Sequence, residues 1–158
     1  MRDLGKTLRE HLEEAFETAA FIVPEELEEI PEPAEDWITV VVDFEGDVAG
    51  RLVLSAEPGL VGAIAGNMLG EDAESLPLDR QVDALKEMAN IVCGNLFADE
   101  EFREAEIDIL SPVQERAPRL RDDLAGGEVV RLGLEDMVEG RMLAELQVRP
   151  GVREGSGA

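Results

Sequence analysis

Two apolar runs on either side of a turn sequence constrain the fold more than any other feature of the chain. Residues 37–44 (WITVVVDF) are rich in β-branched side chains, and residues 48–56 (VAGRLVLSA) alternate apolar positions with other residues. The intervening residues 45–47 (EGD) are typical of a tight turn. The two runs therefore predict a β-hairpin, which makes an antiparallel sheet the basis of the fold.

Helical periodicity is found on both sides of this hairpin. Residues 3 to about 22 repeat apolar side chains at helical spacing. Residues 58–70 begin with a proline and end with a glycine, which suits the two ends of a helix. A longer helix is predicted from about Asp79 to Ala98. The segment between the first helix and the hairpin, residues 23–36, holds three prolines and an acidic run, so it predicts a loop or a short turn of helix.

The rest of the chain predicts strands and loops. Residues 105–113 are strand-like up to Pro112, residues 114–127 predict a loop, and residues 128–148 predict a second hairpin that turns at Asp136 to Gly140. The element order α-β-β-α-α-β-β-β does not alternate strictly, so it indicates an α+β fold, a mainly antiparallel sheet with helices packed on it. We predict one domain over residues 1–148 and a disordered tail over residues 149–158.

Composition excludes several classes of function. The 158 residues are 44% hydrophobic, enough for one core, and carry a net charge of −23. A chain this acidic repels phosphate backbones and anionic lipid, so we expect neither nucleic-acid nor membrane binding. With Cys93 the one cysteine and His11 the one histidine, the sequence predicts no disulfide and no zinc site. It has neither an 18-residue apolar run nor a signal-like N-terminus, so a cytoplasmic location is expected.

The long helix carries an unusual line of polar residues. Asp83, Glu87, Asn90 and Gly94 lie within roughly 60° of one another around the helix axis. A solvated helix face with a chance glycine explains each of them singly. However, asparagine is a poor residue in the middle of a helix, and glycine there costs about 1 kcal/mol against alanine. The opposite stripe is apolar and predicts the buried face: Val82, Leu85, Ala89, Val92 and Leu96.

The chemistry open to this line is limited. No nucleophile stands beside a base, and no phosphate-binding glycine loop is present. A carboxamide both donates and accepts hydrogen bonds, so Asn90 can hold a water in line with a phosphorus atom that is already activated elsewhere. The increase in hydrolysis rate would come from positioning of this water. A carboxylate such as Glu87 is suited to pairing with a lysine on a partner.

These residues resemble a known signature. Asp83-x3-Glu87-x2-Asn90, followed at a distance by Pro112, is similar to the D/S-x3-E-x2-N…P pattern of the CheC/CheX/FliY phosphatases, which act on the phosphorylated response regulator CheY. The hairpin, the following helix and the long helix come in the order expected of CheX, and the resemblance covers roughly residues 4 to 148. A single copy of the motif is present, as in CheX.

The resemblance implies a role for each residue. Asn90 would orient the hydrolytic water at the aspartyl phosphate of a CheY-like receiver domain, and Glu87 would engage the receiver's active-site lysine. Asp83 and Gly94 are supporting residues, and Pro112 would shape a loop. The receiver would supply Mg²⁺, so this chain is expected to bind no metal or cofactor, and a homodimer is expected. Two alternatives remain open, a non-catalytic docking module of the same fold, as in flagellar switch components, and a purely structural dimeric domain.

Other polar groups have simpler interpretations. Cys93 is predicted to be a buried thiol, and His11 a surface or interface residue. The acidic run at residues 97–106 fits a solvated helix end. A basic cluster is expected to pair with the acidic surface or to contact a partner: Arg116, Arg119 and Arg121. Because receiver domains are often acidic around their phosphorylation pocket, we expect weak, salt-dependent binding at a net charge of −23.

Overall fold

The computed structural model describes residues 3–116, 118, 121 and 127–150. Within them lie three α-helices, seven β-strands and two short 3-10 helices at 73–75 and 100–102. The helices are α1 (Leu4–Ala19), α2 (Pro58–Leu69) and α3 (Leu78–Ala98). The strands are β1 (Glu25–Glu26), β2 (Ile38–Gly46), β3 (Val48–Ala56), β4 (Ile107–Ile109), β5 (Val113–Gln114), β6 (Glu128–Asp136) and β7 (Gly140–Pro150).

All seven strands belong to one antiparallel sheet. Their order is β1-β6-β7-β3-β2-β4, and β5 also pairs with β2. Both predicted hairpins are present, as β2–β3 and β6–β7. Each contains a glycine with a positive φ, Gly46 at 132° and Gly140 at 134°, a conformation that residues with a Cβ rarely adopt. The fold is α+β with helices on a mainly antiparallel sheet, as predicted.

The main core lies between the helices and one face of this sheet. Alternate residues of β2 and β3, such as Val40 and Leu54, point into it, since side chains along a strand alternate between the two faces. The helices contribute apolar stripes with these large, fully buried members: Leu8, Leu12, Phe16, Leu60, Ile64, Leu85, Met88 and Leu96. The phenyl rings of Phe44 and Phe97 pack at a tilt with their centroids 4.5 Å apart, and Phe97 and Phe102 pack edge to face at 5.1 Å.

The opposite face of the central strands is buried as well. Thr39 and Ser55 are cross-strand neighbours there, and their hydroxyl oxygens are 2.9 Å apart, so neither is left unsatisfied. Gln147 of β7 holds the chain at Arg121 over the same face. Its Nε2 donates to the Arg121 carbonyl oxygen at 2.9 Å, and its Oε1 accepts from the Arg121 amide at 2.8 Å. This explains why the first five residues of β2, Ile38 to Val42, are buried whichever face they point to.

Several element boundaries differ from the prediction. Helix α1 ends at Ala19 rather than near residue 22. Strand β1 forms inside the predicted loop 23–36 by backbone pairing with β6. The single strand predicted over residues 105–113 is two short strands separated by residues 110–112. Strand β7 continues to Pro150, two residues into the predicted tail, and residues 151–158 lie outside the described residues.

Candidate functional site on helix α3

Helix α3 is fixed by its apolar side. It begins directly after Pro77, and its buried stripe packs over β2 and β3 and against α1 and α2. All five residues of the predicted stripe are buried, together with Ala84, Met88 and Cys93. A helix held so firmly on one side presents the residues of its other side in a fixed orientation.

The polar line of Asp83, Glu87, Asn90 and Gly94, which we call the α3 line, lies on the outward side of α3. Asp83, Glu87 and Gly94 are exposed, and Asn90 is partly exposed. Among the described residues, the side chains of Glu87 and Asn90 have no hydrogen-bond or ion-pair partner. A Cβ placed on Gly94 would meet no atom within 4 Å. The structure therefore leaves an amide, a carboxylate and a bare stretch of backbone accessible to another molecule.

Pro112 comes to the same part of the molecule as α3. It is half-buried in the link between β4 and β5, and both of these strands contact α3. The link therefore joins two strands that both contact α3. A proline fixes its own φ, which suits a residue that separates two short edge strands.

His11 is not a simple surface residue. Its Nε2 lies 3.1 Å from the Oδ2 of Asp99, the residue that follows α3, and both side chains are largely buried. The contact joins α1 to the end of α3, so His11 positions the two helices. The Nδ1 atom of the same ring is buried and has no partner among the described residues.

Cys93 is buried, as predicted, on the core side of α3. Burial in apolar surroundings raises the pKa of its thiol to about 12, because the thiolate would be poorly solvated there. The thiol is therefore not a nucleophile at neutral pH.

Arg121 pairs with the acidic surface, as predicted for the basic cluster. Its Nη1 lies 2.7 Å from a carboxylate oxygen of Glu45 and 4.0 Å from one of Asp43. Asp43 also accepts two hydrogen bonds from Arg51, and this contact raises the pKa of the Arg51 guanidinium. Arg116 lines a groove on the sheet face opposite the helices, and Arg119 lies outside the described residues.

The polar line lies outside the two main grooves of the described structure. The groove that contains Arg116 has a volume of about 1060 Å³, and a second cavity of about 650 Å³ lies near the end of α1. Neither is lined by Asp83, Glu87, Asn90 or Gly94. Across the described part of the chain, no three His, Cys, Asp or Glu side chains are grouped closely enough to hold a metal ion. The described helices include none that is long and apolar enough to span a bilayer.

Helices packed on one antiparallel sheet in this order form the fold of the CheC/CheX class. The model of the family described as "Chemotaxis phosphatase CheX" matches residues 38–123, more than half of the chain. The chain therefore belongs to the CheX family. Comparison with curated proteins gives no match.

Solved structures support the same fold. The chemotaxis protein CheX from Vibrio vulnificus has a TM-score of 0.75 and 18% identity, with 94% of this chain and 97% of that chain covered. CheX from Borrelia burgdorferi, in its complex with CheY, BeF3 and Mg²⁺, has a TM-score of 0.71 and 14% identity over 93% and 98%. The FliM–SpeE complex from H. pylori matches with a TM-score of 0.57 and 14% identity over 93% and 83%.

Proposed function

We propose that this chain hydrolyses the aspartyl phosphate of a CheY-like receiver domain and that Asn90 and Glu87 on α3 carry the activity. Membership of the CheX family supports the phosphatase class. The observation that carries the choice of residues is the outward, unpartnered position of both side chains on one rigid helix. A cytoplasmic location, where such a receiver would be met, belongs to the same proposal.

The chemistry needs little from this chain. The receiver supplies the phosphoryl group and the Mg²⁺ that neutralises it, so no metal site is required on α3. Asn90 accepts a hydrogen bond from the attacking water through its carbonyl oxygen and so aims the oxygen lone pair at phosphorus. Since the amide is not a base, its contribution is orientation, which is worth most when the helix backbone does not move.

Glu87 lies one turn before Asn90, on the same exposed side. Its carboxylate pairs with the lysine of the receiver's active site. This contact sets how deeply the Asn90 side chain reaches into the receiver's phosphorylation site. Asp83 extends the same line by one further turn, and Gly94 ends it without a side chain. Both are supporting residues, which define the docking surface. Pro112 fixes the β4–β5 link beside the helix.

Replacement of Asn90 tests the proposal. We expect Asn90→Ala to lower the rate of receiver dephosphorylation by about 10²-fold, because the water is no longer held in line. Stability should stay the same or rise slightly, since the side chain is partly exposed and unpartnered and alanine has the higher helix propensity. The assay follows phosphate loss from a cognate receiver phosphorylated with a small phosphodonor. Asn95→Ala, an exposed asparagine on the same helix, is the matched control and should keep the wild-type rate.

Glu87→Ala should affect different kinetic parameters from Asn90→Ala. It removes a docking contact, so both the receiver affinity and the rate should fall, whereas Asn90→Ala should mainly lower the rate at saturating receiver. Glu17→Ala on α1, also exposed, controls for the loss of one negative charge. Equal rates for the wild type and Asn90→Ala would refute the catalytic assignment.

The structural match to the FliM–SpeE complex favours a second candidate, a non-catalytic docking module. Such a module would bind a receiver or a switch component through α3 without accelerating hydrolysis. The dephosphorylation assay separates the two. If the wild-type chain binds the phosphorylated receiver and its rate of phosphate loss stays at the intrinsic value, the docking module is the correct function.

We also propose that the chain forms a homodimer. The sheet edge formed by β4 and β5 supports this, because Ile109, Leu110 and Val113 expose apolar side chains there. A chain of 17.2 kDa should then elute with about twice that mass in light-scattering chromatography. Leu110→Asp with Val113→Asp should give the monomer mass, and an unchanged dimer would place the interface elsewhere.

A further inference from the structure

Four strongly exposed apolar side chains lie on two segments that are far apart in sequence. Phe21 and Val23 follow α1 and are 74% and 73% exposed, and Met137 and Val138 form the β6–β7 turn and are 82% and 88% exposed. Phe21, Val23 and Val138 line the same cavity of about 650 Å³, and Met137 is next to it in the turn. We refer to these four residues as the apolar patch. Single exposed apolar residues are common, but a converging group of this kind marks an interaction surface.

The backbone of Phe21 adds a second unusual feature. Its φ is +54°, and among the described residues no other non-glycine residue has a positive φ. The amides of Ala20 and Ile22 on either side both donate to the carbonyl oxygen of Phe16, which closes the end of α1 in this geometry. Asn67 of α2 donates to the Ala20 carbonyl oxygen at 2.7 Å and braces the turn. A phenylalanine is thus held in a conformation better suited to glycine, with its ring in solvent.

The cavity beside the patch is acidic. Glu71, Asp72, Asp136 and Glu139 line it, and none of its lining residues is a lysine or an arginine. We refer to these four carboxylates as the acidic rim. Glu71 has an ion pair with Arg80 at 3.4 Å, and Asp136 accepts hydrogen bonds from the amides of the turn. Asp72 and Glu139 complete the rim.

We propose that the apolar patch and the acidic rim together bind a segment of a partner protein that presents apolar side chains next to lysine or arginine. Charge decides among possible occupants. A second copy of the same patch would bring another set of rim carboxylates against the first, within a chain of net charge −23, and an anionic lipid surface would be repelled in the same way. A segment with both kinds of side chain can pack its apolar side chains on the apolar patch and pair its lysine or arginine with the acidic rim.

The surface is separate from the α3 line, since no residue of that line lines its cavity. A partner bound there would therefore leave the α3 line open to a second partner. The proposal does not depend on the proposed phosphatase activity. Loss of that activity in an assay would leave this surface and its binding properties unaffected.

The test uses a short fluorescein-labelled peptide in which leucine alternates with lysine. Two control peptides replace every leucine by serine or every lysine by glutamate. Fluorescence anisotropy should show binding of the first peptide by the full chain, and Phe21→Asn with Val138→Asn should weaken this binding roughly tenfold or more. Asp72→Asn with Glu139→Gln should weaken it as well, because the rim loses two charges.

Matched variants keep the experiment specific. Ile30→Asn with Leu78→Asn removes two exposed apolar side chains elsewhere, and Glu28→Gln with Glu29→Gln removes two exposed carboxylates elsewhere. Both should bind the peptide like the wild type. Equal loss in patch and control variants, or equal binding of the serine peptide, would overturn the proposal, since attraction to net charge alone would then explain the binding.

Folding and receiver activity are measured on the same samples. Asparagine tolerates a positive φ better than phenylalanine does, so the melting temperature of Phe21→Asn should equal or exceed that of the wild type. Val138→Asn alone, at the tip of the turn, provides a second variant if the double variant folds poorly. Dephosphorylation of the receiver should be unchanged in both, and a reduced rate would assign the patch to the receiver interface instead.

Discussion

Cys93 and Gly94 are neighbours in sequence but lie in opposite environments. The thiol points into the core, where burial raises its pKa, and the glycine is exposed with open space where a Cβ would stand. Consecutive residues on a helix are about 100° apart around its axis. The Cys93 thiol is therefore buried while the backbone at Gly94 is accessible to solvent. The same rotation places Asn90 outward while Ala89 is buried beneath it.

The Cys93 thiol makes stability depend on pH in the alkaline range. The unfolded chain loses the thiol proton near a pKa of about 8.5, and the folded chain keeps it up to about 12. The stability that this group contributes is therefore complete below pH 8.5 and is lost as pH rises toward 12, by about 1.4 kcal/mol per pH unit. Urea denaturation from pH 8 to 11 should show a shallower decline for Cys93→Ala than for the wild type, and parallel declines would contradict the assignment.

At the scale of elements, helix stability and an accessible docking surface favour different residues at position 94 of α3. Glycine in a helix interior costs about 1 kcal/mol against alanine, and nothing in the described structure occupies the space of a methyl group there. Folding alone would therefore favour alanine at this position. A bare backbone next to Asn90 instead allows the receiver's backbone to approach closely, in keeping with the proposed function.

Gly94→Ala should separate stability from docking. We expect the free energy of unfolding to rise by about 1 kcal/mol, while the affinity for the phosphorylated receiver falls because the methyl group occupies the contact surface. Urea denaturation and receiver titration measure the two effects. Asn95→Ala, which also improves helix propensity, should raise stability without lowering affinity. Unchanged receiver affinity in Gly94→Ala would show that this glycine has no part in docking.

Elements with a strong local pattern were predictable from sequence. The period of α3 identified its buried and exposed sides, and the turn residues at Gly46 and Gly140 located both hairpins. Strand β1 was not predictable, because two adjacent glutamates become a strand only through backbone pairing at a sheet edge. The split between β4 and β5 was missed as well, although Pro112 was a signal that a continuous strand would be interrupted there.

Features that join distant parts of the chain carried no local signal. The contact between His11 and Asp99 and the convergence of Phe21 with Val138 both depend on how α1 packs against later elements. A single sequence shows which residues are apolar or titratable, but not which of them the packing of helices on the sheet brings together. The α3 line was the exception, since all its members lie on one helix.

At the scale of the whole molecule, net charge governs encounter with partners. The net charge of −23 spreads over a surface on which Lys86 is a half-buried cation beside the α3 line. Under the proposed function, a receiver with an acidic phosphorylation pocket would be repelled at long range and attracted only where Glu87 meets its lysine. Local complementarity then determines how long the complex lasts, and net charge determines how often it forms.

Salt should therefore speed association rather than slow it. The screening length falls from about 30 Å at 0.01 M salt to about 8 Å at 0.15 M, which removes most of the long-range repulsion but little of the contact at Glu87. Stopped-flow measurement should show a higher association rate constant at the higher salt. Glu28→Gln with Glu29→Gln should raise the rate at low salt and have little effect at high salt, because these exposed carboxylates act only at a distance. An association rate that falls with salt would mean that complementary local patches outweigh the net charge.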